Sequence, residues 1–310
     1  MRLGIVVPCF NEELVLPETA NRLAGILDRL TRARIISGDS AVYFVDDGSS
    51  DSTWPLIQRL ANDNALIHGI KLSRNRGHQN ALLAGLLHAE GDVIISVDAD
   101  LQDDLEAIPK MLEAARKGND VVYGVRSSRT TDTFFKRQTA QWYYRLLHMF
   151  GVDAVYDHAD YRLLSRRAID ALRQFGEVNL FLRGIVPQLG FPSTTVEYER
   201  HERFAGESKY PLRKMLGLAA NGITSFSAVP LRLIALVGVL VFLTSFAMIG
   251  WVLYVRVFTV QAVPGWASSV IPIYFLGGIQ LLSVGVLGEY LARLYMEVKA
   301  RPRYVIEEIV

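Results

Sequence analysis

Over the first 125 residues, short apolar runs alternate with stretches whose apolar positions recur at helical spacing. The runs Leu3–Val7, Val42–Val45, Ile67–Leu72, Val93–Val97 and Val121–Tyr123 read as strands. The intervening segments near 13–32, 51–62, 77–89 and 104–117 read as helices. Strict alternation of this kind predicts an α/β domain, a mostly parallel sheet with helices on both faces. In such sheets ligands gather beyond the carboxyl ends of the strands. No internal repeat or low-complexity tract interrupts the pattern.

The far end of the chain follows a different rule. From Leu233 to Val255 there is no charged residue, about the length a helix needs to cross a bilayer. Beyond Arg256 no charge appears until Glu289, and Val270–Gly288 forms the apolar core of that span. Two transmembrane helices are predicted, at about 231–256 and 268–292, joined by the uncharged loop Gln261–Ser268. Basic residues flank the pair on its outer sides: Lys209, Arg213, Lys214 and Arg232 before it, Arg293, Lys299, Arg301 and Arg303 after it. By the positive-inside rule this is a hairpin with both termini cytoplasmic. The competing reading is two buried core helices of a soluble protein. The segment 211–229 mixes Leu212, Met215, Leu216, Ile223 and Phe226 with Arg213 and Lys214, as suits an amphipathic helix in the headgroup layer. Glycines 277, 278, 285 and 288 would permit close helix packing and a homo-oligomer.

Composition adds little. Of 310 residues half are hydrophobic, and 33 basic residues nearly balance 32 acidic ones, so net charge points to no partner and no nucleic acid is expected. The single cysteine, Cys9, excludes an internal disulfide. Met1-Arg2 leads into Leu3–Val7, too short an apolar run for a signal peptide, so none is expected.

Polar clusters fall where the predicted strands end. They are Pro8-Cys9-Phe10-Asn11-Glu12, then Asp46-Asp47-Gly48-Ser49-Ser50-Asp51, then Ser73–His78, and finally Asp98-Ala99-Asp100-Leu101-Gln102. Continued strand geometry would put Asp98, Asp100 and Gln102 in phase, with three oxygens facing one point. Few hard oxygen ligands, with room for water and phosphate, suit Mg2+ or Mn2+ holding a diphosphate. The plainer reading is an acidic turn capping a helix near Asp104. Asp51 reads as a helix cap, and His78 as a surface or cap histidine. No G-x-G-x-x-G turn follows the first strand, which disfavours a dinucleotide site.

Taken together, Pro8-x-Phe-Asn-Glu, Val45-Asp-Asp-Gly-Ser-Ser-Asp, Arg74-Asn-x-Gly-His and Asp98-Ala-Asp-Leu-Gln resemble the catalytic domain of glycosyltransferase family 2. The likeness is to its polyprenyl-phosphate branch, which includes dolichyl-phosphate mannose synthase and the bactoprenol glucosyltransferases of O-antigen modification. It extends through Asp160-Tyr-Arg-Leu-Leu-Ser-Arg, Ala205-Gly-Glu-Ser-Lys-Tyr, Gly285-Val-Leu-Gly-Glu-Tyr and Arg301-Pro-Arg-Tyr, and so covers nearly the whole chain. The resemblance implies a GT-A (Rossmann-like) cytoplasmic domain over 1–210, a juxtamembrane helix over 211–229 and the two-span tail over 230–310. It implies a nucleotide pocket lined by Pro8, Phe10, Asn11, Glu12, Asp46, Asp47, Asp98 and Ala99. Asp98, Asp100 and Gln102 would hold Mg2+ or Mn2+. Asp98, Asp100, Asp160 and Arg162 would be catalytic, with Asp160 and Arg162 beneath the reacting sugar. Arg126, Arg129, Lys136 and Arg137 would grip the lipid phosphate, and Arg203, Ser208 and Lys209 would close over the donor. Three positions depart from the family pattern: Asp104 for a Pro, Ala159 for a Gly, and Val178 for an Arg.

The activity so implied is inverting transfer of a sugar to undecaprenyl phosphate at the bacterial inner membrane, for O-antigen or other surface glycans, with UDP-glucose the preferred donor. A downstream flippase and glycosyltransferase are the implied partners. Alternatives are another donor, carrying 4-deoxy-4-formamido-arabinose or N-acetylglucosamine, and a non-catalytic scaffold or transport subunit. A phosphate monoester with a second pKa near ~6 is already ionised at neutral pH, so no strong general base is expected.

Overall fold

The computed structural model describes residues 1–126, 158–177, 180–199, 229–258 and 265–310. Its centre is an eight-stranded sheet in the order β7-β5-β6-β4-β1-β2-β3-β8. The strands are β1 (Leu3–Cys9), β2 (Ala41–Asp46), β3 (Ile67–Leu72), β4 (Val93–Ser96), β5 (Val121–Arg126), β6 (His158–Ser165), β7 (Ser193–Tyr198) and β8 (Ile306–Ile309). The β1–β2, β1–β4, β2–β3 and β5–β7 pairs are parallel, and β6 runs antiparallel to both β4 and β5. The five strands expected from the pattern are all present, and the sheet is mostly parallel as predicted.

Every residue of β1 and β2 is buried, because these strands lie at the middle of the sheet with helices on both faces. Helices α1 (Leu16–Arg32), α2 (Thr53–Asp63) and α4 (Ile108–Arg116) cover one face. In α1, Leu16, Ala20, Leu23, Leu27 and Leu30 make the buried stripe, at the three-to-four spacing that first marked it. Helices α3 (His78–His88), α5 (Arg166–Leu172) and α6 (Leu182–Gln188) cover the other face.

Two long helices follow, α7 (Val229–Phe258) and α8 (Gly265–Val298), over the predicted spans. Among the described residues, Phe275–Val298 within α8 is long and apolar enough to cross a membrane. The proposed juxtamembrane segment lies outside the described residues except for its last position.

After α8 the chain returns to the sheet. β8 pairs antiparallel with the edge strand β3, and Val310 exchanges both backbone hydrogen bonds with Gly69 (2.8 and 2.9 Å). Trp54 Nε1 donates to Glu308 at 3.1 Å, and Lys71 pairs with Glu307 at 2.9 Å. Gly69 is required here: a Cβ would lie 2.5 Å from Ile57 and 2.8 Å from the Val310 side chain. The last residues thus close one sheet edge and tie the end of α8 to the α/β domain.

Candidate active site

The carboxyl ends of β1, β2 and β3 carry three loops that lock together through a buried carboxylate. Asp47 Oδ1 accepts the Arg76 N–H at 2.7 Å and its Oδ2 accepts the Gly77 N–H at 2.8 Å. Gly48 lies back to back with the third loop. A Cβ there would sit 2.6 Å from the Asn75 nitrogen, and its φ of +68° is one that a side chain strains. Asn11, also left-handed at φ 56°, accepts the Ser50 N–H at 2.9 Å, while its own N–H donates to Ser49 Oγ. The cap residue of α2 is Ser52 rather than Asp51, but Asp51 accepts the Thr53 N–H at the start of that helix and also the Glu13 N–H, so it ties the first loop to the second. These loops enclose a cavity of about 270 Å³ whose lining includes Pro8, Phe10, Glu12, Asp47 and His78. Burial raises the pKa of Asp46 and of Asp47, against the hydrogen bonds each accepts.

A second cluster stands where β4 and β6 run side by side. The β4–β6 register ends at the Ser96–Arg162 pair, and just beyond it Asp98 and Asp160 both come within reach of His78. Asp160 is engaged from several directions. Arg162 Nη2 donates to its Oδ1 at 2.5 Å, Arg183 Nε and Nη2 reach Oδ1 and Oδ2 at 3.3 and 3.1 Å, and Gln79 Nε2 donates to Oδ2 at 3.3 Å. His78 Nε2 lies 3.5 Å from Asp160 Oδ2 and 3.6 Å from Asp98 Oδ1. Burial alone would raise the pKa of Asp160. His78, Arg183 and Arg162 outweigh it and hold the carboxyl well below its ordinary value. For His78, burial opposes the charged form, but Asp160 and Asp98 raise its pKa. Burial also raises the pKa of Asp98, reinforced by the charges of Asp160 and Asp100, although 41% of its side chain is accessible.

The loop bearing Asp98 and Asp100 is braced from below. Its strand geometry ends at Ser96, so Asp98, Asp100 and Gln102 are not placed by a continued β-phase. A turn places them instead: Leu101 is left-handed at φ 57°, and Asp100 Oδ1 accepts the Gln102 N–H at 3.2 Å. Thr19 Oγ1 donates to the Ala99 carbonyl at 2.9 Å, Tyr161 Oη to the Asp104 carbonyl at 3.1 Å, and Tyr198 Oη to Asp103 Oδ1 at 2.7 Å. Asp104 Oδ1 accepts the Glu106 N–H, capping the short turn that opens α4, a role a Pro there would not fill.

The structure thus brings Pro8, Phe10, Glu12, Asp47, Asp98 and Asp160 to one strand edge, with Arg162 buried behind them. Among the proposed lipid-phosphate residues, Arg126 ends β5, and nothing is described of its side chain. Arg129, Lys136 and Arg137 lie outside the described residues, as do Arg203, Ser208 and Lys209 of the closing loop, and Val178. His78 is a surface residue, as expected, with 44% of its side chain exposed, but the cap residue of α3 is Gly77. The imidazole stands between two site carboxylates, a placement the sequence reading missed. Arg183 and Gln79 were not anticipated. The signal for Arg183 was there, a lone cation within the apolar run Leu180–Val186.

Comparison with known proteins agrees with this geometry. The family model for glycosyl transferase family 2 matches residues 4–173. The uncharacterized glycosyltransferase YkoT of Bacillus subtilis (strain 168) is 50% identical over 308 residues, 98% of this chain and 91% of that protein. The bactoprenol glucosyl transferase of Shigella phage SfX is 39% identical over 310 residues, 99% of each chain. The prophage bactoprenol glucosyl transferase homolog of Escherichia coli (strain K12) is 39% identical over 312 residues, 100% of this chain and 99% of that one. With its loops, carboxylates and sheet order in that frame, the chain belongs to glycosyl transferase family 2 and is a glycosyltransferase resembling the bactoprenol glucosyl transferases.

Proposed function

We propose that this enzyme moves a sugar, glucose from UDP-glucose, onto undecaprenyl phosphate with inversion at the anomeric carbon. The observation that carries the reading is the make-up of one cleft. Asp98 and Asp160 both lie within 3.6 Å of His78, and Arg162 and Arg183 engage Asp160. Asp100 follows Asp98 on the same turn, and the cavity lined by Asp47 and His78 lies alongside. The names of the full-length phage and prophage relatives support a polyprenyl phosphate acceptor.

In this reading the nucleoside lies in the cavity beside Phe10 and Asp47, and the diphosphate lies toward Asp98 and Asp100. Those carboxylates fit a divalent ion as hard oxygen donors close together on one turn. An ion held by so few protein groups would complete its shell with substrate oxygens and water. Bound there, Mg2+ or Mn2+ would act as a Lewis acid toward the departing diphosphate. Asp160 is a poor general base: its oxygens already accept from two arginines and a glutamine, and its pKa is depressed. None is needed, since the lipid phosphate arrives ionised with a second pKa near ~6. The residues must instead align a dianion with the anomeric carbon.

A membrane setting follows from the acceptor. We place α7 and α8 as a hairpin in the inner membrane with the catalytic domain and both termini on the cytoplasmic side, where the basic flanks favour anionic headgroups by roughly 1 kcal/mol per residue. The pairing of β8 with β3 would then fix the cleft relative to the bilayer. The test is transfer from UDP-[14C]glucose into butanol-extractable lipid by purified protein supplied with undecaprenyl phosphate, with and without EDTA. Labelled lipid that disappears with EDTA is the expected result. No labelled lipid from UDP-glucose, with product from another donor in a panel, would replace the sugar; none from any donor would remove the reading.

A further inference from the structure

Asp160 is held by two guanidiniums that differ in their surroundings. Arg162 has 1% of its side chain exposed and Arg183 has 34%. One buried arginine already balances one buried carboxylate, so Arg183 brings a second cation that the neutrality of Asp160 does not require. It is also held with unusual care for a residue on a seven-residue helix. Gln79 Oε1, from α3, accepts the Leu182 N–H at 3.1 Å, and Arg162 Nη1 donates to the Leu182 carbonyl at 3.4 Å. The residue just before Arg183 is therefore clamped at both backbone groups by side chains from two other elements. Asp160 then meets Arg183 side-on, through Nε and Nη2, which fixes the plane of the guanidinium. His78 Nε2 stands between the same carboxylate and Asp98.

We infer that Arg183 is a phosphate-binding residue of the transfer site, oriented by Asp160 and Gln79 so that its guanidinium meets phosphate oxygens where the sugar changes hands. A planar fork of fixed orientation matches phosphate geometry, and an arginine stays charged throughout the reaction. The inference deepens the proposed function and rests on it. The phosphate has two sources in that reaction, the leaving nucleoside diphosphate and the lipid phosphate.

Two binding measurements on the full-length protein separate those sources: UDP by titration calorimetry in detergent, and undecaprenyl phosphate in nanodiscs by native mass spectrometry. Arg183→Lys keeps the charge and loses the fork, and Arg183→Gln removes both; the lysine variant decides if the glutamine variant fails to fold. Weakening of one ligand by at least tenfold, with melting temperature unchanged, supports the assignment. Loss confined to UDP makes Arg183 a diphosphate contact, and loss confined to the lipid makes it an acceptor contact. If both dissociation constants stay within twofold of wild type, whatever happens to turnover, the assignment is wrong while the proposed function stands. If both weaken together with a lower melting temperature, Arg183 is structural. A wild-type protein that binds neither ligand removes the proposed function and this inference together.

Discussion

Asp46 and Asp47 at the end of β2 and Asp98 and Asp160 at the ends of β4 and β6 occupy the same strand edge, yet they are stabilised by opposite means. The first pair is met by backbone: Asp47 accepts the Arg76 and Gly77 N–H groups, and Asp46 accepts from Ser49 at 3.3 Å. Asp160 is met by side-chain cations, with Arg162, Arg183 and His78 converging on it. Backbone donors fix a shape, because a carboxylate that holds two N–H groups determines the path of a loop. Guanidiniums and imidazole fix a field, because they place charge that a substrate can exchange with. In the proposed reaction, one end of the edge would fit the nucleoside and the other would manage phosphate and a cation.

The largest effect should come from the end that manages charge. Asp100→Ala should lower turnover by ~10³-fold or more, the scale of losing one preorganised electrostatic partner of the transition state. The carboxylate makes a local turn contact to Gln102, so folding and membrane insertion should be kept. Labelled-lipid formation measures the first and size exclusion in detergent the second; near wild-type turnover would take the cation away from this loop.

Asp47→Ala tests the end that builds shape, and here stability should fall with function. Two partly buried N–H groups lose their acceptor, each worth about 1–3 kcal/mol when left unmet. Melting temperature should drop, and UDP affinity should fall by roughly tenfold as the third loop leaves Gly48. An unchanged melting temperature would mean that Asp47 does not hold that loop.

A smaller effect should separate the turn proposed to hold the metal from its support. Tyr198→Phe removes one hydroxyl, the donor to Asp103 Oδ1, and keeps the ring that packs edge-on against Tyr161 at 5.1 Å. The loss should be about 1 kcal/mol of stability and a fall in turnover of a few fold, with the metal concentration for half-activation rising. Turnover equal to wild type at limiting metal would show that the turn does not depend on this brace.

How much of this division could be read from the sequence depends on how local each signal is. The four polar clusters stood out because each follows an apolar run, and that run is itself the strand that positions it. Strand β6 was hidden because its centre carries Asp160 and Arg162, a buried ion pair that reads as surface polarity until both partners are seen together. β7 was legible in principle: Thr194, Val196 and Tyr198 alternate inward against exposed Ser193, Thr195 and Glu197. β8 was not, since four residues with two adjacent glutamates acquire strand identity only by meeting Lys71 and Trp54, more than two hundred positions away. The phase argument for Asp98, Asp100 and Gln102 assumed a continued strand, a geometry that the left-handed Leu101 replaces.

The smallest effect gives the comparison its sign. The pKa of Asp46 is raised above the ordinary 3.8, chiefly by burial, so the folded state holds that proton more tightly than the unfolded chain does. Stability contributed by the protonated form is therefore lost as pH rises through the folded pKa, and at neutral pH the ionised Asp46 weighs against the fold. Asp46→Asn should accordingly raise the melting temperature by a few degrees at pH 7, with the gain shrinking as pH falls toward 4, while UDP binding suffers. Asp160 has the opposite sign: its pKa is held well below 3.8, so its contribution is complete above the unfolded value and disappears as pH falls through the folded one. Asp160→Asn should then lower the melting temperature at pH 7, by stranding Arg162 and Arg183 without their counter-charge. Differential scanning fluorimetry of both variants from pH 4 to 8 checks the pair of signs. Two variants that shifted the same way would mean that both carboxylates are held alike, and that the strand edge has one character rather than two.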